Sequence, residues 1–114
     1  MVTSLDWAPD RGDFVWMNFS PQVGREQAGY RPALTLTPLS FNRRMGFALF
    51  CPVRSHAKGY PFEVLIPAGS KIEGAVLTEQ VKSFDWRERK AKPAGRAPDS
   101  VIQEALAKVR TLLA

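Results

Sequence analysis

The sequence predicts a mainly β fold of the α+β class. The architecture is a small, strongly curved antiparallel barrel-like sheet with one C-terminal amphipathic helix. Three observations point there. Nine prolines and eight glycines are spread along the chain and cut it into short apolar or aromatic runs, the punctuation of short strands and turns. Apolar residues fall at helical spacing in one place, the C-terminus. The length of 114 residues suits a single domain over 1–114, since domains typically hold about 100–150 residues.

Each element follows from its residues. Phe14 to Phe19 is aromatic and β-branched after the turn-like Arg11-Gly12-Asp13, and is predicted as a strand. Ser20 to Arg31 is a polar loop with two glycines. Ala33 to Thr37 alternates apolar and hydroxyl residues between Pro32 and Pro38, a second strand. Gly46 to Val53 is mostly apolar and predicts a buried strand, with Pro52 ending it or near its edge. Phe62 to Ile66 is a fourth, and Ala75–Leu77 and Gln80–Ser83 are strand segments around a bulge. Val101, Ile102, Ala105, Leu106, Val109 and Leu112 form the apolar stripe of the helix. Ser100 with Gln103 fits a capping box at its start.

Composition narrows the function. No apolar run approaches the roughly 20 residues of a membrane span. Met1 to Asp10 lacks the basic-then-apolar pattern of a signal peptide. A single Cys51 leaves no internal disulfide and fits a reducing, cytoplasmic setting. One Cys and one His provide no tetrahedral Cys/His zinc site, and no metal or cofactor is expected. The net charge is +5, and Lys82 to Arg96 carries six basic residues against two acidic ones. Such a stripe points to an acidic partner, either nucleic acid or an acidic protein segment.

Phosphate-cradling, dinucleotide-binding and nucleophile-elbow patterns are absent from the sequence. Cys51 sits in an apolar run and is expected in the core. Two stretches carry the candidate chemistry. In Gly24 to Ala33, Pro32 biases Arg31 toward an extended backbone, which helps fix a guanidinium whose planar fork suits phosphate. In Cys51 to Val64, a strand leaves the core and delivers Arg54, Ser55, His56 and Lys58 within five positions. These are good phosphate and ribose contacts, and Tyr60 and Phe62 offer stacking faces for bases.

At these stretches the sequence resembles the MazF/PemK family of toxin endoribonucleases of type II toxin–antitoxin modules. The motifs are Gly12-Asp13-Phe14-Val15-Trp16, Glu26 to Ala33, Lys58 to Val64, and Gln80-Val81-Lys82-Ser83 followed by Trp86-Arg87. Four in register cover nearly the whole chain. The resemblance implies a small SH3-like barrel with a C-terminal helix, a homodimer, and metal-independent cleavage of single-stranded RNA such as mRNA. It implies attack by the RNA's own 2′-hydroxyl, giving 2′,3′-cyclic phosphate and 5′-hydroxyl ends. It also implies a cognate antitoxin whose acidic, disordered tail covers the RNA site. The family's catalytic Arg falls on Arg31. Glu26 and Gln27 match the acidic and amide positions of that loop, Lys58 a basic one, and Glu79-Gln80 a pair that contacts RNA in relatives. The family's catalytic Thr usually follows a Pro-aliphatic pair. Here Pro52-Val53 is followed by Arg54 and then Ser55, so the hydroxyl has moved one residue or been lost.

The residues then take expected roles. Arg31 stabilises charge on the phosphate oxygens. Ser55 bonds a phosphate oxygen and Arg54 adds a second positive clamp. Glu26 is the first candidate base and His56 the second. Gln80 and Asn18 meet base edges. A competing reading is a non-catalytic binding protein on the same fold, one that poisons a protein target or titrates antitoxin. A basic RNA-binding module without chemistry is the third.

Overall fold

The computed structural model describes residues 7–20, 24 and 27–114. Among these, seven strands form one antiparallel sheet: β1 (Asp13–Asn18), β2 (Tyr30–Thr35), β3 (Phe47–Arg54), β4 (Glu63–Leu65), β5 (Ala75–Leu77), β6 (Lys82–Asp85) and β7 (Lys92–Arg96). Helix α1 (Leu39–Met45) joins β2 to β3, a single 3-10 turn (Thr78–Gln80) follows β5, and α2 (Asp99–Leu113) comes last. The spatial order is β4-β5-β3-β2-β1-β7, with β6 paired to β3. The mainly β class with a C-terminal helix is as the sequence predicts.

Strand β3 organises the sheet. It pairs with β6 over Phe47–Phe50, with β2 over Phe50–Pro52, and with β5 at Val53 and Arg54. Pro52 does not end the strand, contrary to expectation. It falls after the last residue registered with β6 and before the first registered with β5, where its missing N–H disturbs neither ladder.

Alternation along the strands builds two apolar clusters. Phe14, Leu34, Cys51 and Val53 pack with Val101, Ile102 and Ala105 of α2. Their neighbours Val15, Ala33 and Phe50 pack with Met17, Phe84 and Trp86. Cys51 is fully buried as expected, and burial, then the charge of Glu79, pushes its thiol pKa far up. A thiol held protonated in this way is no nucleophile.

Two elements were invisible in the sequence. Helix α1 has seven residues, too few to stand alone in water. Its first turn is capped from a distance, because the Leu39 N–H donates to the Asp10 carboxylate at 2.9 Å. Its Asn42 side chain is fully buried and donates to the carbonyls of Pro9 (2.7 Å) and Thr37 (2.8 Å) while accepting from Thr37 Oγ1. Strand β7 contains Pro93 and Gly95, poor strand formers, tolerated because β7 is an edge. The capping box on α2 is also corrected. The helix begins at Asp99 with Pro98 in the cap position and no side-chain cap bond, and Asp99 supplies the negative charge of the first turn.

Candidate active site

The burial pattern of β1 alternates, so Val15 and Met17 face the core while Trp16 and Asn18 face outward. On β2, Pro32 lies opposite Trp16 and Tyr30 opposite Asn18. This diagonal brings the Trp16 and Tyr30 rings together. Their centroids are 6.0 Å apart and their planes 10° apart, and both rings stay substantially exposed. The Tyr30 hydroxyl donates to the Lys90 carbonyl at 3.4 Å, tying the platform to the basic turn before β7.

Arg31 follows Tyr30 and takes its orientation from the backbone around it. Its Nε donates to the Ala28 carbonyl at 2.9 Å and one terminal nitrogen to the Val53 carbonyl at 3.4 Å. Among the described residues no carboxylate pairs with it. Guanidinium has five N–H donors, so most of the fork stays available. Burial lowers its pKa from the ordinary value, yet an arginine remains charged at neutral pH.

Arg31 borders a cavity of about 480 Å³ shared with Trp16, Tyr30, Val53 and Ser55. Ser55 is the first residue beyond β3, and strand alternation directs it and Val53 to this side. The hydroxyl therefore lies on the Arg31 side despite its place after Arg54. The Ser55 Oγ is 3.5 Å from Nδ1 of His56, itself exposed.

Arg54 goes elsewhere. It forms a short ion pair with Glu63, its Nε donates to the His56 carbonyl at 3.1 Å, and its guanidinium lies 5.9 Å from the Tyr60 ring centre. Glu63 is buried, and also accepts the N–H groups of Lys58 and Gly59, each at 3.0 Å. Burial pushes the Glu63 carboxyl up. The N–H groups of Lys58 and Gly59, the charge of Arg54 and the N–H of Tyr60 outweigh it and hold the group below its ordinary pKa. Arg54 thus braces the loop that carries Ser55, and does not border the cavity. Tyr60 borders a different cavity, with Glu63 and Lys108. The Phe62 carbonyl accepts from Thr78 Oγ1 and its side chain is half-buried.

The other candidates surround the cavity or brace it. Gln80 Oε1 accepts the Gln27 N–H at 3.0 Å, fastening the segment that enters β2. Asn18 Oδ1 accepts the Ser20 N–H at 2.9 Å. Glu79 and Lys58 are exposed and do not border the cavity. Glu26 lies outside the described residues. Sequence reasoning missed Trp16 and Tyr30 as the cavity's aromatics, though the period of β1 was a usable signal for an outward Trp16. It also missed Lys71 and Glu73, which border the cavity from the turn before β5. Among the described residues, no three His, Cys, Asp or Glu side chains converge as a metal site.

The comparison with known families bears directly on this arrangement. A family model described as the PemK-like, MazF-like toxin of type II toxin–antitoxin systems matches residues 10–113. The chain belongs to this family. It is 41% identical over 107 residues to the endoribonuclease toxin MazF of Escherichia coli strain K12, covering 94% of this chain and 96% of that one. It is 32% identical over 108 residues to the endoribonuclease PemK of Escherichia coli, covering 91% and 81%. Among solved structures, MazF (Form-I) from Deinococcus radiodurans superposes with a TM-score of 0.90 at 48% identity, covering 95% of this chain and 98% of that one. A MazE-MazF complex (Form-II) from the same organism gives 0.85 at 48% identity, with 95% and 97% covered. The resemblance of the four motifs is thus a family relationship along nearly the full length.

Proposed function

We propose that this chain is a toxin endoribonuclease that cleaves single-stranded RNA, such as mRNA, at short sequence motifs without a metal ion. The carrying observation is the cavity itself. An arginine with unclaimed donors, a serine hydroxyl and a stacked aromatic pair open onto one space. This set suits a phosphodiester flanked by an unpaired base. The names and identity of the relatives support the same reading.

The nucleophile is the RNA's own 2′-hydroxyl, already held beside the phosphorus, so proximity is supplied by the substrate. Arg31 stabilises the charge that grows on the phosphate oxygens, and Ser55 donates its O–H to one of them. The products carry 2′,3′-cyclic phosphate and 5′-hydroxyl ends. Trp16 and Tyr30 hold a splayed base. Replacing either ring with alanine is expected to weaken binding of an uncleavable RNA about 10- to 100-fold, since stacking contributes about 1–3 kcal/mol per base. Fluorescence anisotropy with a 2′-deoxy-substituted strand checks this.

The remaining partners follow the family. A cognate antitoxin with an acidic tail suits a chain of charge +5, and a MazF relative is solved with MazE. Exposed Phe41 and Met45 on one face of α1, next to exposed Phe47 of β3, support a homodimer. An mRNA substrate places the protein in the cytoplasm. The test is incubation of purified protein with a long single-stranded RNA in excess EDTA, followed by end mapping. Discrete cuts with cyclic phosphate and 5′-hydroxyl ends are expected. Intact RNA with folded protein would sink this reading in favour of the non-catalytic one.

A further inference from the structure

The cavity that holds Arg31 and Ser55 has a third wall, the turn leading into β5. Lys71 and Glu73 border the cavity from that turn. Both are exposed, and neither makes a hydrogen bond or ion pair with any described residue. Glu73 is the single carboxylate among the described residues that border the cavity.

The turn is fixed in place at three points. Ile72, between the two charged residues, is buried in the same apolar cluster as Val53. Gly74 has φ +116°, and a Cβ there would lie 1.9 Å from the Arg54 carbonyl oxygen and 2.8 Å from the Ser55 carbonyl carbon. Only glycine lets the turn press on the strand end that carries Ser55. Gly95 of β7 leaves room for the Lys71 stem, because a Cβ on Gly95 would sit 3.2 Å from Cδ of Lys71. A lysine stem laid along a glycine and a glutamate locked beside the serine strand are thereby both aimed at the space facing Arg31.

We propose that Glu73 and Lys71 are the base and the acid of the cleavage step, a proposal that rests on the ribonuclease reading above. The Glu73 carboxylate removes the 2′-hydroxyl proton. The 2′-oxygen bonds to phosphorus as the P–O5′ bond breaks, and the Lys71 ammonium gives its proton to the departing 5′-oxygen. Glu73 is left as a carboxylic acid and Lys71 as an amine. One proton then passes between them through water and restores both. This division leaves Arg31 and Ser55 to hold the phosphate, and it frees the always-charged guanidinium from carrying protons.

The test uses the full chain and a short RNA with one mapped cut. Glu73→Gln is expected to lower the single-turnover rate about 10²- to 10³-fold and to remove the acid limb of the pH–rate profile. Its affinity for the 2′-deoxy strand stays that of the parent. Glu73→Asp recovers part of the rate. Lys71→Gln is expected to be similarly slow on ordinary RNA. Its rate recovers on RNA whose leaving 5′-oxygen is replaced by sulfur, a group that departs without a proton. Glu73→Gln gains nothing from that substrate. Parent-like rates in both variants while Arg31→Ala is inactive would overturn the acid–base assignment and leave the ribonuclease reading standing. So would an acid limb that disappears in Glu26→Gln but persists in Glu73→Gln. If the parent cuts no RNA, the ribonuclease reading fails and this assignment fails with it.

Discussion

Arg31→Ala is expected to lower the single-turnover cleavage rate by about 10²- to 10³-fold, the usual cost of removing one donor to a developing oxyanion. Thermal stability should barely change. The Arg31 side chain spends its internal hydrogen bonds on two backbone carbonyls, Ala28 and Val53, and neutralises no buried carboxylate among the described residues. Its loss removes a charge facing the cavity and leaves the core intact. Arg31→Lys should recover little, because an ammonium cannot donate to Ala28 and Val53 and still present a planar fork to phosphate. Rapid-quench cleavage beside a melting curve checks both halves. A variant that unfolds, or one that cleaves at the parent rate, would contradict this account of the site.

Glu63→Gln is expected to act on stability instead, by about 3 kcal/mol, the low end for breaking a buried ion pair. For a domain of this size that is a fall of about 10–15 °C in Tm. The Glu63 side chain is 1% exposed and that of Arg54 12%, so the arginine left behind is partly reached by water. Arg54→Met should cost less, because Glu63 keeps the N–H groups of Lys58 and Gly59. The effect carries a pH signature. The folded-state pKa of Glu63 is depressed, so its contribution is fully present above the unfolded value of about 4.3. It is lost as pH falls through the lower folded value. The gap in Tm between parent and variant should be widest near neutrality and narrow below about pH 4. A gap that is constant with pH would mean that the charge on Glu63 does not matter.

The elements legible in the sequence are those whose causes are local. The aromatic and β-branched run of β1, the buried run of β3 and the apolar stripe of α2 each carry their own period, and each was placed within a few residues. Helix α1 was missed because its cap comes from Asp10 and its anchor reaches Pro9, both distant in sequence. Strand β7 was missed because Pro93 and Gly95 mask an edge strand. The site divides in the same way. Arg31 and Ser55 lie at strand ends, where backbone direction is readable, and they share one cavity. Arg54 looked like part of the cluster because it adjoins Ser55. Its partner, Glu63, comes from another strand, and the pairing draws Arg54 out of the cluster. Lys71 and Glu73 stand in a turn of weak pattern, and only the packing of Ile72 and Gly74 reveals where they face.

The change of partners along β3 has a consequence for how the molecule opens. One strand supplies Cys51 and Val53 to the cluster under α2, and Ala48 and Phe50 to the cluster under Trp86. Peeling β5 from its far end, or β6 from its near end, exposes part of each neighbour without freeing β3 from β2. The amides of β3 registered with β2 are therefore released to solvent exchange only when both clusters come apart together, in the slowest cooperative unit of the fold. Ser55 hangs one residue beyond that unit. The serine end of the cavity thus inherits the rigidity of the last part of the protein to open, while the rims around it remain free to breathe.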